Sequence, residues 1–165
     1  MQGFLPIAAA DARVLILGSM PGVASLAAGQ YYAHRQNAFW RILGALLGFD
    51  PAMPYVARLA ALQAAGVAVW DVLASCVREG SLDASIDHGT VLPNDFPAFF
   101  AAHGGIGHVF FNGGTADTCF RRYVLPNLDA RALQLTRLPS TSPANASFSF
   151  ERKLAAWRAI LEPLA

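Results

Sequence analysis

Charge is scarce in this chain. Asp, Glu, Lys and Arg make up 14% of it, and 12 basic side chains nearly balance 11 acidic ones, for a formal net charge of +1. That balance is weaker than in many duplex-binding domains and, alone, speaks against a nucleic-acid partner. Cysteine is almost absent: Cys76 and Cys119 stand far apart with no C-x-x-C pair. They form no zinc or iron–sulfur ligand set, so no metal and no other cofactor is expected, and they read as free buried thiols in a reducing compartment. No uninterrupted apolar run reaches the roughly 18 residues of a membrane helix. The apolar start, Met1 to Ala10, lacks a basic n-region and runs straight into a strand-like segment. The expectation is therefore a cytoplasmic protein without a cleaved signal and without a membrane partner. Three catalytic signatures are missing as well: the Walker loop, the dinucleotide G-x-G-x-x-G and the serine-hydrolase G-x-S-x-G. There is no internal repeat and no low-complexity tail.

What the chain does have is core-forming material. With 165 residues, 55% of them hydrophobic, it fits one domain spanning residues 1–165 around a single buried core. Four short apolar runs read as strands: Val14 to Leu17, Val67 to Val69, His108 to Phe111 and Ala132 to Leu135. Helical patterns lie between and after them, at Ala38 to Leu47, Tyr55 to Ala65, Asp95 to Ala102, Thr115 to Leu125 and Ser149 to Leu161. In the last, Phe150, Leu154, Trp157 and Leu161 recur at helical spacing and Ser147 or Ser149 is placed to cap the start. Strands alternating with helices predict an α/β fold with a four-stranded, mainly parallel sheet buried on both faces. In such sheets ligands bind at the carboxyl ends of the strands, so the loops after Leu17, Phe111 and Leu135 are the places to look for chemistry.

Each of those loops carries suitable groups. Gly18, Pro21 and Gly22 make a tight turn after the first strand that lets backbone amides reach a ligand, although Gly-Pro turns are also built for structure alone. Downstream, Tyr31, Tyr32, His34, Asn37, Phe39 and Trp40 crowd into ten positions. Phe39 and Trp40 read as core residues beginning a helix, whereas Tyr31 and Tyr32 sit in a polar setting suited to stacking on a planar ligand. Asn37 falls where a helix cap is needed, and capping competes with any catalytic role. Asn112 ends the third strand before Gly113, Gly114 and Thr115; its carboxamide can pair with a base edge that offers an acceptor oxygen beside an N–H, or can merely stabilise the turn. The stretch from Arg137 to Ser147 is stiffened by Pro139 and Pro143 and supplies Ser140, Thr141, Ser142 and Asn145, groups that grip phosphates or simply lead into a capped helix. Arg35 with Arg41, Arg121 with Arg122, and Arg152 with Lys153 form local basic pairs that either line one face or are dispersed in solvent.

Taken together, GSMPG (Gly18 to Gly22), YYAHRQNAFW (Tyr31 to Trp40), WDVLASCVREGSLDASI (Trp70 to Ile86), FFNG (Phe110 to Gly113) and LPSTSPANAS (Leu138 to Ser147) resemble the uracil-DNA glycosylase superfamily. The segments occur in the family's order along nearly the whole chain; the second is similar to mismatch-specific and hypoxanthine-type members, and the third to the hypoxanthine (deoxyinosine) branch. The resemblance implies a three-layer α/β/α sandwich that binds DNA containing a deaminated base. It implies a monofunctional glycosylase that hydrolyses the N-glycosidic bond of deoxyinosine without a cofactor, as a monomer. It assigns water orientation to Asn37, with Ser19, Met20 and the Met20 to Gly22 amides assisting. Base binding falls to Tyr32, Asn112, Gly18, Pro21, Gly22 and His34, and backbone contact to Arg137, Ser140, Thr141, Ser142, Pro143 and Asn145, with a wedge at Pro143 to Ala146. Many superfamily members carry Asp or Asn at or near the second position of the first motif. Ser19 and Met20 stand there in this chain, which argues against strong uracil excision; the missing carboxylate suggests a catalytically weak damaged-DNA reader as a rival reading, the low net charge suggests a hydrolase of free nucleosides, and a uracil or mismatch-directed glycosylase is the alternative within the same class.

Overall fold

In the computed structural model, which describes residues 1–165, four strands form one parallel sheet. They are β1 (Val14–Gly18), β2 (Val67–Asp71), β5 (His108–Asn112) and β6 (Gln134–Leu138), in the order β2-β1-β5-β6. β1 and β2 are buried at every position: β1 lies inside the sheet, and β2, though at its edge, is covered on both faces and bridged on its outer side by Ile7 against Val69. Alternate residues feed two cores. Leu15, Leu17, Ala68, Trp70, Val109 and Phe111 pack on one side against Phe96, Phe99 and Phe120. Val14, Ile16, Val67, Val69 and Phe110 pack on the other against Phe39, Ile42, Leu43, Leu62 and Trp157. The three layers are thus the expected α/β/α sandwich, with two cores rather than one, because a doubly covered sheet separates its own faces.

The helices are α1 (Val23–Ala28), α2 (Phe39–Leu47), α3 (Tyr55–Ala64), α4 (Phe96–Ala102), α5 (Gly114–Cys119) and α6 (Phe150–Trp157). Asp95 caps α4 by accepting from the Ala98 amide at 3.1 Å. Ser149, not Ser147, caps α6, accepting from the Arg152 amide at 3.2 Å. The helix expected over Thr115 to Leu125 is broken into α5, a wide π turn at Phe120–Val124 and a 3₁₀ turn at Leu125–Asn127, where Pro126 withholds an amide.

Three features depart from the sequence reading. The fourth strand ends at Leu138 instead of Leu135, since on this edge strand apolar residues alternate with Gln134, Thr136 and Arg137 instead of running on. Arg137 therefore belongs to the strand, not to the loop after it. α1 follows the first tight turn. A two-stranded antiparallel hairpin, β3 (Leu73–Arg78) with β4 (Ile86–Pro93), grows from the end of β2, and register shifts within it hide its period-2 pattern. Cys76 and Cys119 are free and buried, and burial raises both thiols, that of Cys119 to about 11. Neither is an active nucleophile. No helix is long and apolar enough to cross a membrane.

Candidate active site

The loops at the carboxyl ends of the sheet enclose a cleft of about 800 Å³, within the range of small-molecule sites. Its wall brings together every residue that the sequence had singled out as a site candidate: Gly18 to Gly22, Tyr32, His34, Asn37, Asn112 and Arg137 through Asn145. These come from four segments separated by more than a hundred residues, and the parallel register collects them. Gly18 lies level with Asp71, and Asn112 with Leu138.

Gly18 has a steric reason for being glycine. A Cβ there would lie 2.5 Å from Asp71 Oδ1 and 3.1 Å from Tyr32 Oη, so only a bare Cα lets those two groups approach the strand end. Tyr32 holds φ at 55°, alone among the non-glycine residues, a left-handed conformation found mostly where function demands it. Its ring stacks on Phe39 at 3.9 Å between centroids, so one face is fixed to the core while the residue lines the cleft. Burial, with Asp71 adding, pushes the Tyr32 phenol well above its usual value; the nearby Asn112 amide opposes this, although it makes no well-aligned hydrogen bond to the hydroxyl. Tyr31 is a core residue instead. Its hydroxyl donates to the Leu5 carbonyl at 2.7 Å, and it is buried among the helices of the second core.

Asn112 is held rigidly. Its Nδ2 donates to Thr141 Oγ1 at 2.9 Å and its Oδ1 accepts from the Thr141 amide at 2.9 Å. The second Nδ2 hydrogen and the second Oδ1 lone pair remain for a ligand. Thr141, expected to touch the DNA backbone, is instead 1% exposed and also gives its carbonyl to the Ala38 amide. It works as the clamp on Asn112, out of reach of any phosphate. A Thr141→Val variant, similar in shape but lacking the hydroxyl, is expected to cut turnover on a cognate duplex about tenfold or more, because a loosened positioning group costs heavily. Its Kd for the same duplex, measured by fluorescence anisotropy, should stay within about twofold; full turnover would show that the clamp is dispensable.

Asn37 stands where the capping reading put it and also borders the cleft. Its Oδ1 accepts from the Phe39 amide at 3.0 Å, fastening the start of α2, and the residue also lines the cleft. His34 is exposed, and its Nδ1 accepts from the Gln36 amide at 3.1 Å, so a neutral ring carries its proton on Nε2. Ser19 donates to Asp83 Oδ1 at 2.6 Å. Met20 is almost fully buried.

Three residues that the sequence reading quoted only inside the Trp70 to Ile86 segment, with no site role, line or brace the cleft. Arg78 is 5% exposed yet has no carboxylate partner within salt-bridge distance. Its Nη2 donates to the Pro21 carbonyl at 2.6 Å and its Nη1 to the Met20 carbonyl at 3.5 Å, while Nε donates to Gly80. In a trans peptide the amide opposes its carbonyl, so anchoring the Pro21 carbonyl turns the Gly22 N–H away from Arg78. Asp83, from the hairpin loop, faces the cleft with Ser81 and the exposed Leu82. Asp71 ends β2 at the floor of the cleft, and burial raises its carboxyl to about 7, with Asp83 raising it further and Arg78 lowering it. A charged residue closing the apolar run Val67 to Trp70 was the available signal for it.

The serine-rich loop is braced from below. Trp157 Nε1 donates to the Pro139 carbonyl at 2.9 Å, Asn145 Nδ2 to the Ser140 carbonyl at 3.2 Å, and Lys153 Nζ to the Ser142 carbonyl at 3.3 Å. Lys153, grouped with the surface bases by sequence, is 6% exposed, and burial lowers its amine. Ser140 Oγ and Ser142 Oγ accept from backbone amides within the loop, which leaves each O–H able to donate outward. Pro143, Ala144 and Ala146 stand exposed at the tip. Arg121 is paired with Asp117, and Arg41 and Arg152 lie over Phe150 and Phe148, so these bases do not form a free track. No group of three His, Cys, Asp or Glu side chains is placed to hold a metal ion.

A cleft of mixed polar and apolar lining at the carboxyl end of a parallel sheet, bordered by a tyrosine ring, a clamped carboxamide and a stiff serine-rich rim, has the form of a binding site for a small planar ligand. The chain belongs to the uracil DNA glycosylase superfamily, whose family model matches residues 5–164. It is 32% identical over 160 residues to a hypoxanthine DNA glycosylase from Methanosarcina acetivorans, a match covering 96% of each chain. To a hypoxanthine DNA glycosylase from Methanosarcina barkeri it is 38% identical over 113 residues, 68% of this chain and 70% of the other. The fold matches the solution NMR structure of a candidate uracil DNA glycosylase from Methanosarcina acetivorans with a TM-score of 0.82 at 32% identity, covering 99% of this chain and 97% of that one.

Proposed function

We propose that this protein removes hypoxanthine from deoxyinosine in DNA by hydrolysing the N-glycosidic bond, leaving an abasic site. The observation that carries the reading is the Asn112 carboxamide, clamped by Thr141 in the same cleft as the Tyr32 ring. A fixed amide can both donate to O6 and accept from N1–H of hypoxanthine. The two relatives named for hypoxanthine excision agree with it.

The target base must first leave the helix, which costs a few kcal/mol and least at a mispair. Tyr32 then offers the face not covered by Phe39. Asn37 orients a water toward C1′, with Ser19, Met20 and the Gly22 amide shaping the surroundings. An amide is no strong base, so the rate arises from positioning and from stabilising the oxocarbenium sugar and the departing base. Arg137 and the outward hydroxyls of Ser140 and Ser142 hold phosphates, and the Pro143 to Ala146 tip fills the gap in the duplex. We take the protein to act as a monomer in the cytoplasm, where two buried unpaired thiols persist.

The test is cleavage of 5′-labelled duplexes that carry one deoxyinosine, uracil or xanthine, with chelator present and alkali added afterwards. Alkali-labile breaks at inosine, at least tenfold faster than at uracil, are expected. Binding to inosine DNA without breaks would identify a damaged-base reader instead, and cleavage of free inosine alone would identify a nucleoside hydrolase.

A further inference from the structure

Two polar atoms in this protein are buried with no hydrogen-bond partner, Tyr32 Oη and Asp71 Oδ2. Both belong to the wall of the same cleft, and Tyr32 Oη and Asp71 Oδ1 both crowd the bare Cα of Gly18. Leaving such groups unpaired costs on the order of 1–3 kcal/mol each, so a fold that keeps two of them side by side at a cleft wall holds them for a bound water or a ligand. Asp71 is 4% exposed. Its backbone carbonyl is engaged by Asn94 Nδ2 at 2.7 Å, and no protein donor reaches the carboxyl itself.

We propose that Asp71 is the proton donor of the excision reaction: its carboxylic acid, at the floor of the cleft, protonates the ring of the departing purine. This rests on the hypoxanthine reading above. A purine leaves far more easily as a neutral base than as an anion, and its imidazole nitrogen N7 is an acceptor that uracil lacks. As the C1′–N9 bond breaks, its electron pair goes to the base, and the Asp71 proton goes to N7, so hypoxanthine departs neutral. The water held by Asn37 bonds to C1′ and releases its proton to solvent, and Asp71 is reprotonated from solvent for the next turnover.

The surroundings keep Asp71 able to do this at neutral pH. Desolvation is the largest influence and favours the neutral acid; Asp83 from the hairpin loop adds to it, and Arg78 from β3 opposes it. Tyr31 and Tyr32 also face it, both held as neutral phenols. The carboxyl is therefore raised to about 7, close to the value at which an acid is both protonated and willing to give up its proton. The sign is definite: the acid form is needed, so excision must fall as pH rises past that value.

The experiment compares wild type with Asp71→Asn, which keeps size and a donor but has no proton to transfer. Single-turnover excision of an inosine duplex is followed from pH 5.5 to 9, and binding to a duplex with the non-hydrolysable 2′-fluoro-deoxyinosine is measured alongside. Wild type is expected to lose about tenfold in rate per pH unit above about 7. Asp71→Asn is expected to be about 10²–10⁴-fold slower at pH 6, with a flat profile and binding within about twofold. It should melt no lower than wild type at pH 8, because the substitution removes a carboxylate from an apolar site. A variant with the wild-type rate and profile, or a wild-type rate that climbs through pH 7, overturns the proposal while leaving the hypoxanthine reading intact. Binding lost in proportion to rate would reduce Asp71 to shaping the cleft and overturn it too. A wild type that binds the analogue but cuts no inosine duplex at any pH overturns the hypoxanthine reading, and this assignment with it.

Discussion

An Asn37→Ala protein is expected to fold and to bind inosine DNA, yet to release hypoxanthine on the order of 10²–10³-fold more slowly, the usual loss when one fixed polar group at a reacting centre is removed. The expectation follows from how the side chain is held. Its Oδ1 accepts from the Phe39 amide at 3.0 Å, which orients the carboxamide in the cleft and leaves a second lone pair for water. That same bond helps start α2, so alanine also removes about 1 kcal/mol of capping energy and lowers Tm by about 2–4 °C in a chain of this size. Asn37→Asp separates the two roles, because a carboxylate still accepts from Phe39 and should restore the melting temperature. Gel-based single-turnover rates and thermal melts of both variants provide the check. An unchanged excision rate in the alanine variant would leave Asn37 as a helix cap and nothing more.

Trp157→Ala is expected to have the largest effect on stability, about 3–5 kcal/mol, a heavy share of the roughly 5–15 kcal/mol that holds a domain folded. Trp157 is fully buried in the core under β1 and β5 and meets Phe39 edge to face at 6.1 Å. Phe39 in turn supports Tyr32, so the ring that lines the cleft rests on this tryptophan. The indole N–H also carries the Pro139 carbonyl. Trp157→Phe keeps most of the apolar volume but orphans that carbonyl, costing about 1–3 kcal/mol and freeing the first turn of the serine-rich rim. Urea denaturation should rank the two variants, and the phenylalanine protein should excise more slowly although residue 157 lies outside the cleft. A phenylalanine variant with wild-type stability and rate would show that the rim does not depend on this brace.

The basis for reading the fold from sequence was the burial of the sheet. Val14 to Leu17, Val67 to Val69 and His108 to Phe111 are apolar throughout because both of their faces are covered, and their strands lie where those runs stand, each one or two residues longer. The edge strand was misplaced by the same logic, since Gln134, Thr136 and Arg137 interrupt its apolar face. The β3–β4 hairpin left no usable period because its register shifts twice, and so Ser81, Leu82 and Asp83 entered the site unannounced. Asn37, Asn112 and the serine-rich loop were legible because loop positions after buried strands carry chemistry that their packing does not require. Thr141 and Lys153 were misread because nothing local tells a buried threonine or lysine from an exposed one; both are inside because a carbonyl or a carboxamide waits for them there.

One-dimensional pattern thus decides the layered α/β architecture and the strand-end loops that matter, since burial period and turn chemistry are local properties of the chain. The pairing of Gly18 with Asp71, the clamp of Thr141 on Asn112 and the burial of Arg78 beneath the Met20 and Pro21 carbonyls depend on strand register and long-range closure. Those distances, and the desolvation that raises the Asp71 carboxyl to about 7, come into being only when segments far apart in the chain pack together and exclude water.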